Sequence, residues 1–142
     1  MRDAEASRLE AKLPTPAAGA PNIILIILDT VRSASLRLYG YSRPTSPNLE
    51  RYASTGVVFE RAYSTAPWTL PSHASMFTGR YPHELSVHWE RPLDEQDPTV
   101  AEILRANGYR TAGVTANQTY ASAEVGLHRG FTRYRDSQSS RQ

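Results

Sequence analysis

Four side chains in this sequence are of types that hold ions or take part in group transfer: Asp29, Thr69, His73 and Arg80. Asp29 directly follows the apolar run 22–28, which reads as a buried strand. It therefore stands at the carboxyl end of that strand, the edge of an open α/β sheet where ligands collect. A carboxylate is a hard oxygen donor suited to Ca²⁺, Mg²⁺ or Mn²⁺, and in a loop it serves equally as a helix cap. Thr69 comes two residues before Pro71, which is read as the first residue of a helix running to Thr78. Threonine is a favoured cap there. Its hydroxyl is also an alcohol that attacks only once a base or a metal has activated it. The start of that helix favours bound anions, because its backbone N–H groups and dipole point outward. Arg80 closes the same stretch with a forked cation, which at a helix end can also stand simply solvated. His73 reads as an anion donor when protonated or as a bystander, with the bystander favoured. Ser72 beside it forms no triad, since neighbours on a helix point in different directions and no Gly-x-Ser-x-Gly elbow occurs.

The elements that must position these groups follow from the pattern. Residues 22–28 are β-branched and apolar on consecutive positions, as in a parallel strand covered on both faces. Ser46-Pro47 starts a short helix that Gly56 ends, and Val57-Val58-Phe59 suggests a second strand. Asp97-Pro98 opens a further helix that stops at Asn107-Gly108, and residues 109–115 read as a third strand. Strands alternating with helices predict an α/β fold with a mostly parallel sheet and helices on both faces. Residues 1–21 combine a short helix from Ala4 to Lys12 with a Pro- and Ala-rich stretch, and are expected to form a flexible leader and linker. Residues 22–136 would form one domain, with a polar tail at 137–142. No element from Arg135 onward is expected to close the sheet, so that domain reads as incomplete.

Composition narrows the function classes. The chain of 142 residues is 39% hydrophobic and 21% charged, which suits one globular domain. The net charge of +2 comes without any run of consecutive Lys or Arg, so nucleic-acid binding gains little support. With Cys 0 there is no disulfide, thiolate metal site or cysteine nucleophile. The apolar run at 22–28 is far shorter than the roughly 20 residues of a membrane span. Residues 1–12 lack the apolar core of a secretory signal, leaving the cytoplasm as the default expectation. Oligomeric state is not legible.

Three stretches resemble the start of sulfatase-type enzymes of the alkaline phosphatase superfamily: residues 21–30, residues 70–80 with their Thr78-Gly79-Arg80 ending, and residues 107–111. The resemblance implies that Asp29 is a metal ligand, with Thr30 where many arylsulfatases carry a second aspartate. It implies that Thr69 stands at the nucleophile position, where sulfatases have a cysteine or serine that becomes formylglycine. A threonine there resembles the superfamily branch that uses an unmodified threonine on phosphate esters. Arg80 would orient the nucleophile or bind the substrate anion, and His73 replaces an arginine. The implied cofactor is a divalent cation (Ca, Mg, Mn or Zn), shared by Asp29 and Thr69, and the implied substrate is a sulfate or phosphate ester. In place of a Gly-Lys-x-His segment the sequence has residues 115–118, where Asn117 reads as a turn residue, and the roles of His83 and His88 stay open.

Family members draw further metal ligands from an Asp-His or Asp-Asn pair, and neither dipeptide follows Asp29. The expectation is therefore an N-terminal fragment that is inactive or slow alone. The alternative is a non-catalytic anion-binding or regulatory module. A haloacid dehalogenase-type phosphatase would need a second aspartate where Val31 stands, and is discarded.

Overall fold

The computed structural model describes residues 3–88 and 91–136; the expected polar tail at 137–142 lies outside them. The chain divides into two units: Ile23–Tyr63, and the described residues on either side of it.

In the smaller unit, Pro47 at the first helical position starts α2 (Pro47–Ala53). Ser46, expected as its cap, does other work. Its hydroxyl accepts the Leu38 N–H at 3.1 Å and donates to Glu50 Oε1 at 3.2 Å, tying α2 to the 3-10 turn Arg37–Tyr39. The two strands expected here, at 22–28 and 57–59, are not formed among the described residues. Ile24 is 84% exposed and Val57 81%. A β-strand exists only as part of a hydrogen-bonded ladder, and no described segment pairs with either run. β-Branched residues encode the extended backbone and the preference for burial, but not which segment pairs with them.

The larger unit begins with α1 (Asp3–Glu10), short of the expected Lys12; beyond Glu10 the chain goes on in tighter turns, with Lys12 N–H on the Leu9 carbonyl at 3.1 Å and Leu13 N–H on the Glu10 carbonyl at 3.2 Å. Helix α3 (Thr69–Thr78) packs Leu70 and Ala74 into a core with Val87, Leu93, Ala121 and Leu127, and Phe77 lies against it. These are positions i, i+4 and i+7 of one helix face.

Helix α4 (Val100–Ala106) starts later than Asp97-Pro98 suggested, because Thr99 caps it. Thr99 Oγ1 accepts the Glu102 N–H at 3.2 Å, while Glu102 Oε2 accepts the Thr99 N–H at 2.8 Å. The Thr99 hydroxyl also donates to the Arg129 carbonyl at 3.0 Å, and Thr99 is fully buried. Thr99→Ala therefore removes a cap and leaves a carbonyl without its donor. It is expected to lower stability by about 2 kcal/mol in urea unfolding, and Thr99→Ser to lose less than half of that.

The expected third strand is present but shorter, as β1 (Ala112–Thr115), because Tyr109 N–H still closes α4 on the Leu104 carbonyl at 3.1 Å. Its partner is β2 (Arg133–Asp136), parallel, with Ala112 opposite Arg133 and Thr115 opposite Asp136. The polar segment from Arg135, expected to contain no closing element, thus contributes its first two residues, Arg135 and Asp136, to a strand. Tyr134 fixes its face by donating its hydroxyl to the Ala121 carbonyl at 2.5 Å. Just before the strands, Thr111 and Thr132 interlock: Thr132 Oγ1 donates to the Thr111 carbonyl at 2.8 Å, and Thr132 N–H to Thr111 Oγ1 at 3.0 Å. The described elements are helices and a two-stranded parallel sheet, an α/β arrangement. No described helix is long and apolar enough to cross a membrane.

Candidate functional site

Thr69 is the first residue of α3. Trp68 precedes it in extended backbone and rests edge-on against Tyr120, ring centroids 5.2 Å apart, which anchors the point where the chain enters the helix. Pro71, expected as the first helical residue, is the third. It is tolerated there because backbone N–H groups in the first turn have no intrahelical acceptor in any case. The Thr69 side chain is half-buried beside the fully buried Leu70, so the apolar face of α3 pins its position.

Ser72, which forms no triad, and the candidate His73 both converge on the Thr69 backbone carbonyl. Ser72 Oγ donates to the Thr69 carbonyl at 3.0 Å, and His73 Nδ1 lies 2.8 Å from the same oxygen. A carbonyl only accepts, so Nδ1 carries the hydrogen in this contact, and in the neutral ring Nε2 holds the lone pair. His73 is 8% exposed, a side chain held in one orientation by its own helix. The signal was in the spacing: Ser and His three and four residues after Thr69 are placed to bond back to its carbonyl.

Arg80 stands beyond the other end of α3. A helix of 10 residues rises about 15 Å, so the helix itself separates Arg80 from Thr69. The Arg80 Nε is 3.3 Å from Asp97 Oδ1 and Nη1 is 3.9 Å from Glu84 Oε1. Asp97 in turn is held by its carbonyl, which accepts Arg129 Nη2 at 2.7 Å, and Arg129 pairs with Glu102 at 3.7 Å. The end of α3 is thus tied by charge to the start of α4.

Asp29 lies in the smaller unit, half-buried in a turn where Thr30 has positive φ of 62° and donates its hydroxyl to the Asp29 carbonyl at 2.7 Å. Asn117 accepts the Tyr120 N–H on its side-chain oxygen at 3.1 Å, the geometry of a turn. His83 stacks on Tyr81, centroids 5.8 Å apart, and His88 bridges to Arg91. Among the described residues no group of three His, Cys, Asp or Glu side chains is gathered as a metal ion would require.

The sulfatase family model matches residues 21–142. Arylsulfatase A of Bos taurus is 33% identical over 129 residues, covering 80% of this chain and 25% of that protein. Human steryl-sulfatase is 31% identical over 134 residues, 81% of this chain and 23% of that protein. The N-acetylgalactosamine-6-sulfatase of Canis lupus familiaris is 42% identical over 110 residues, 66% of this chain and 21% of that protein. The chain spans a quarter or less of the length of these relatives. No solved structure matches it significantly.

Proposed function

The chain belongs to the sulfatase family, and from that premise we propose that it carries the nucleophile segment of a hydrolase of sulfate or phosphate esters, with Thr69 as the attacking group. The proposal includes an alkaline phosphatase-like sheet with helices on both faces, of which β1 and β2 are part.

One observation carries it: Thr69 begins α3, where the helix presents its positive end, and its backbone carbonyl is held by both Ser72 and His73. An anionic ester is favoured at that terminus, as is the charge that builds on its oxygens during attack. The Thr69 oxygen forms a bond to sulfur or phosphorus as the bond to the ester oxygen breaks. A base from solvent, water or a buffer anion, takes the Thr69 proton as the oxygen attacks, and the departing alcohol takes one up. Water then cleaves the adduct, giving back the threonine and releasing sulfate or phosphate. Arg80 serves by orienting: tied to Asp97 and Glu84, it fixes the far end of the helix that aims Thr69. His73, buried on α3 and bonded through Nδ1 to the Thr69 carbonyl, is the further group proposed to serve the anion.

Sulfatases generally use a divalent cation. Asp29 offers one hard oxygen donor, whereas catalytic sites usually take three or more from protein, and the described residues gather no such set. The same shortage supports a second reading, a module that binds ester anions without cleaving them.

The test incubates the protein with nitrophenyl sulfate and nitrophenyl phosphate, adding Mg²⁺, Mn²⁺, Ca²⁺ or Zn²⁺ in turn. Slow nitrophenol release that Thr69→Ala removes and Thr69→Ser keeps supports the hydrolase. Ester binding by calorimetry with no release supports the non-catalytic module. Release that Thr69→Ala leaves unchanged overturns the assignment of the nucleophile.

A further inference from the structure

The family match begins at residue 21, yet the residues before it are built into the larger unit at two points. At the first, Glu10 at the end of α1 receives Arg133 Nε on Oε1 at 2.9 Å and Arg133 Nη2 on Oε2 at 3.4 Å, a forked pair on the first residue of β2. The Thr132 hydroxyl reaches the same Oε1 at 3.4 Å. Ala6, one turn back on α1, is 1% exposed, and the Glu10 side chain is 12% exposed. At the second point the chain passes over Gly108, just ahead of β1. A Cβ there would lie 2.4 Å from the Pro14 carbonyl oxygen and 2.7 Å from the Pro16 nitrogen. Only glycine allows that approach.

We propose that residues 3–16 form a clasp, outside the family-matched region, that locks the start of β2 to the start of β1. The pair it closes needs such help. It has two strands of 4 residues each, too few to be stable alone, and its parallel pairing calls for a long crossover between β1 and β2. One grip acts on the first residue of β2 and the other on the turn that leads from α4 toward β1, the first at and the second ahead of the amino-terminal end of the sheet. Nothing at the opposite end, where ligands collect in such sheets, is used up.

The clasp is sensitive to acid. The groups facing the Glu10 carboxylate are Arg133 on β2, the Thr132 hydroxyl, and Arg110 on the approach to β1. The Arg133 hydrogen bond, with the charges of Arg133 and Arg110, holds the carboxyl below its ordinary value of 4.5. A depressed carboxylate contributes stability that is complete above the unfolded value and is lost as pH falls through the folded one. The clasp thus stays shut at neutral pH and opens only below about pH 4.5.

Hydrogen exchange on the whole chain, read by mass spectrometry at pH 7, tests it. Glu10→Gln is expected to speed exchange in the peptides covering β1 and β2 by about tenfold while leaving α3 unchanged. Swapping the charges as Glu10→Arg with Arg133→Glu is expected to restore protection. Deleting residues 1–16, which removes both grips, should speed exchange in β1 and β2 more than Glu10→Gln does. Unchanged β2 exchange in Glu10→Gln, or loosening of α3 to the same extent, would overturn the proposal. So would a charge swap no better than the single variants. None of these outcomes depends on ester hydrolysis.

Discussion

Replacing Thr69 by alanine is expected to bring the slow ester cleavage down to the level of the uncatalysed reaction, a loss of about a thousandfold or more. The methyl group offers no oxygen to attack, so neither the helix terminus nor any cation can compensate. Thr69→Ser keeps a hydroxyl at the same position and should retain a measurable fraction of the rate. The structural consequence of the alanine change is small, because Thr69 is half-buried and the fully buried Leu70 keeps its place. The Thr69 backbone carbonyl that accepts Ser72 and His73 is retained in both variants. Circular dichroism and the urea midpoint should therefore be nearly unchanged. Measured together with the rate, they separate a lost nucleophile from a lost fold. A change in affinity without a change in rate would place Thr69 among the binding groups instead.

Gly130→Ala is expected to destabilise the protein by about 3 kcal/mol or more, enough to leave much of the population unfolded if the starting stability is at the low end for a small domain. Two effects add. Gly130 has φ of +86°, a region that an alanine enters at a cost of about 1–2 kcal/mol. Its new Cβ would also lie 2.1 Å from the Glu102 nitrogen and 2.4 Å from the Ala101 carbonyl carbon. Those atoms are helix backbone, so relief requires α4 to move away from the 126–130 turn. That movement would strain the contacts joining them, including the Thr99 hydroxyl on the Arg129 carbonyl and the Thr111 hydroxyl on the Gly130 carbonyl at 2.6 Å. Gly19 is the matched control. It has φ of +75° and nothing within 4 Å of an added Cβ, so Gly19→Ala should show the backbone effect alone, about 1 kcal/mol. Equal urea midpoints for the two variants would mean that α4 yields without cost.

Helices were read from the sequence more faithfully than strands. Pro47 starts α2 and Asn107-Gly108 closes α4 as their types require, because capping and turn formation involve only a few consecutive residues. The Thr99-x-x-Glu102 box that moves the start of α4 is equally local, three residues reaching from cap to partner. The strands were harder. Among the described residues the apolar runs at 22–28 and 57–59 have strand composition and no ladder, while the polar Arg133–Asp136 has a ladder with β1. A ladder depends on a partner distant in sequence, and composition does not name it.

For the site, the sequence alone determined what lies within one helix: Thr69 at the start of α3, Ser72 and His73 at the spacing that reaches back to its carbonyl, and Arg80 just past the end. Rise and turn per residue are properties of the backbone, so those relations hold wherever the helix is packed. Only the tertiary structure decided that Arg80 is bound by Asp97 and Glu84, and that Glu10 closes on Arg133. Each of the two principal pairs, Arg80 with Asp97 and Glu10 with Arg133, joins oppositely charged side chains brought together by the packing of separate elements. A sequence records the charges in such pairs, while the fold sets the few ångströms over which they act.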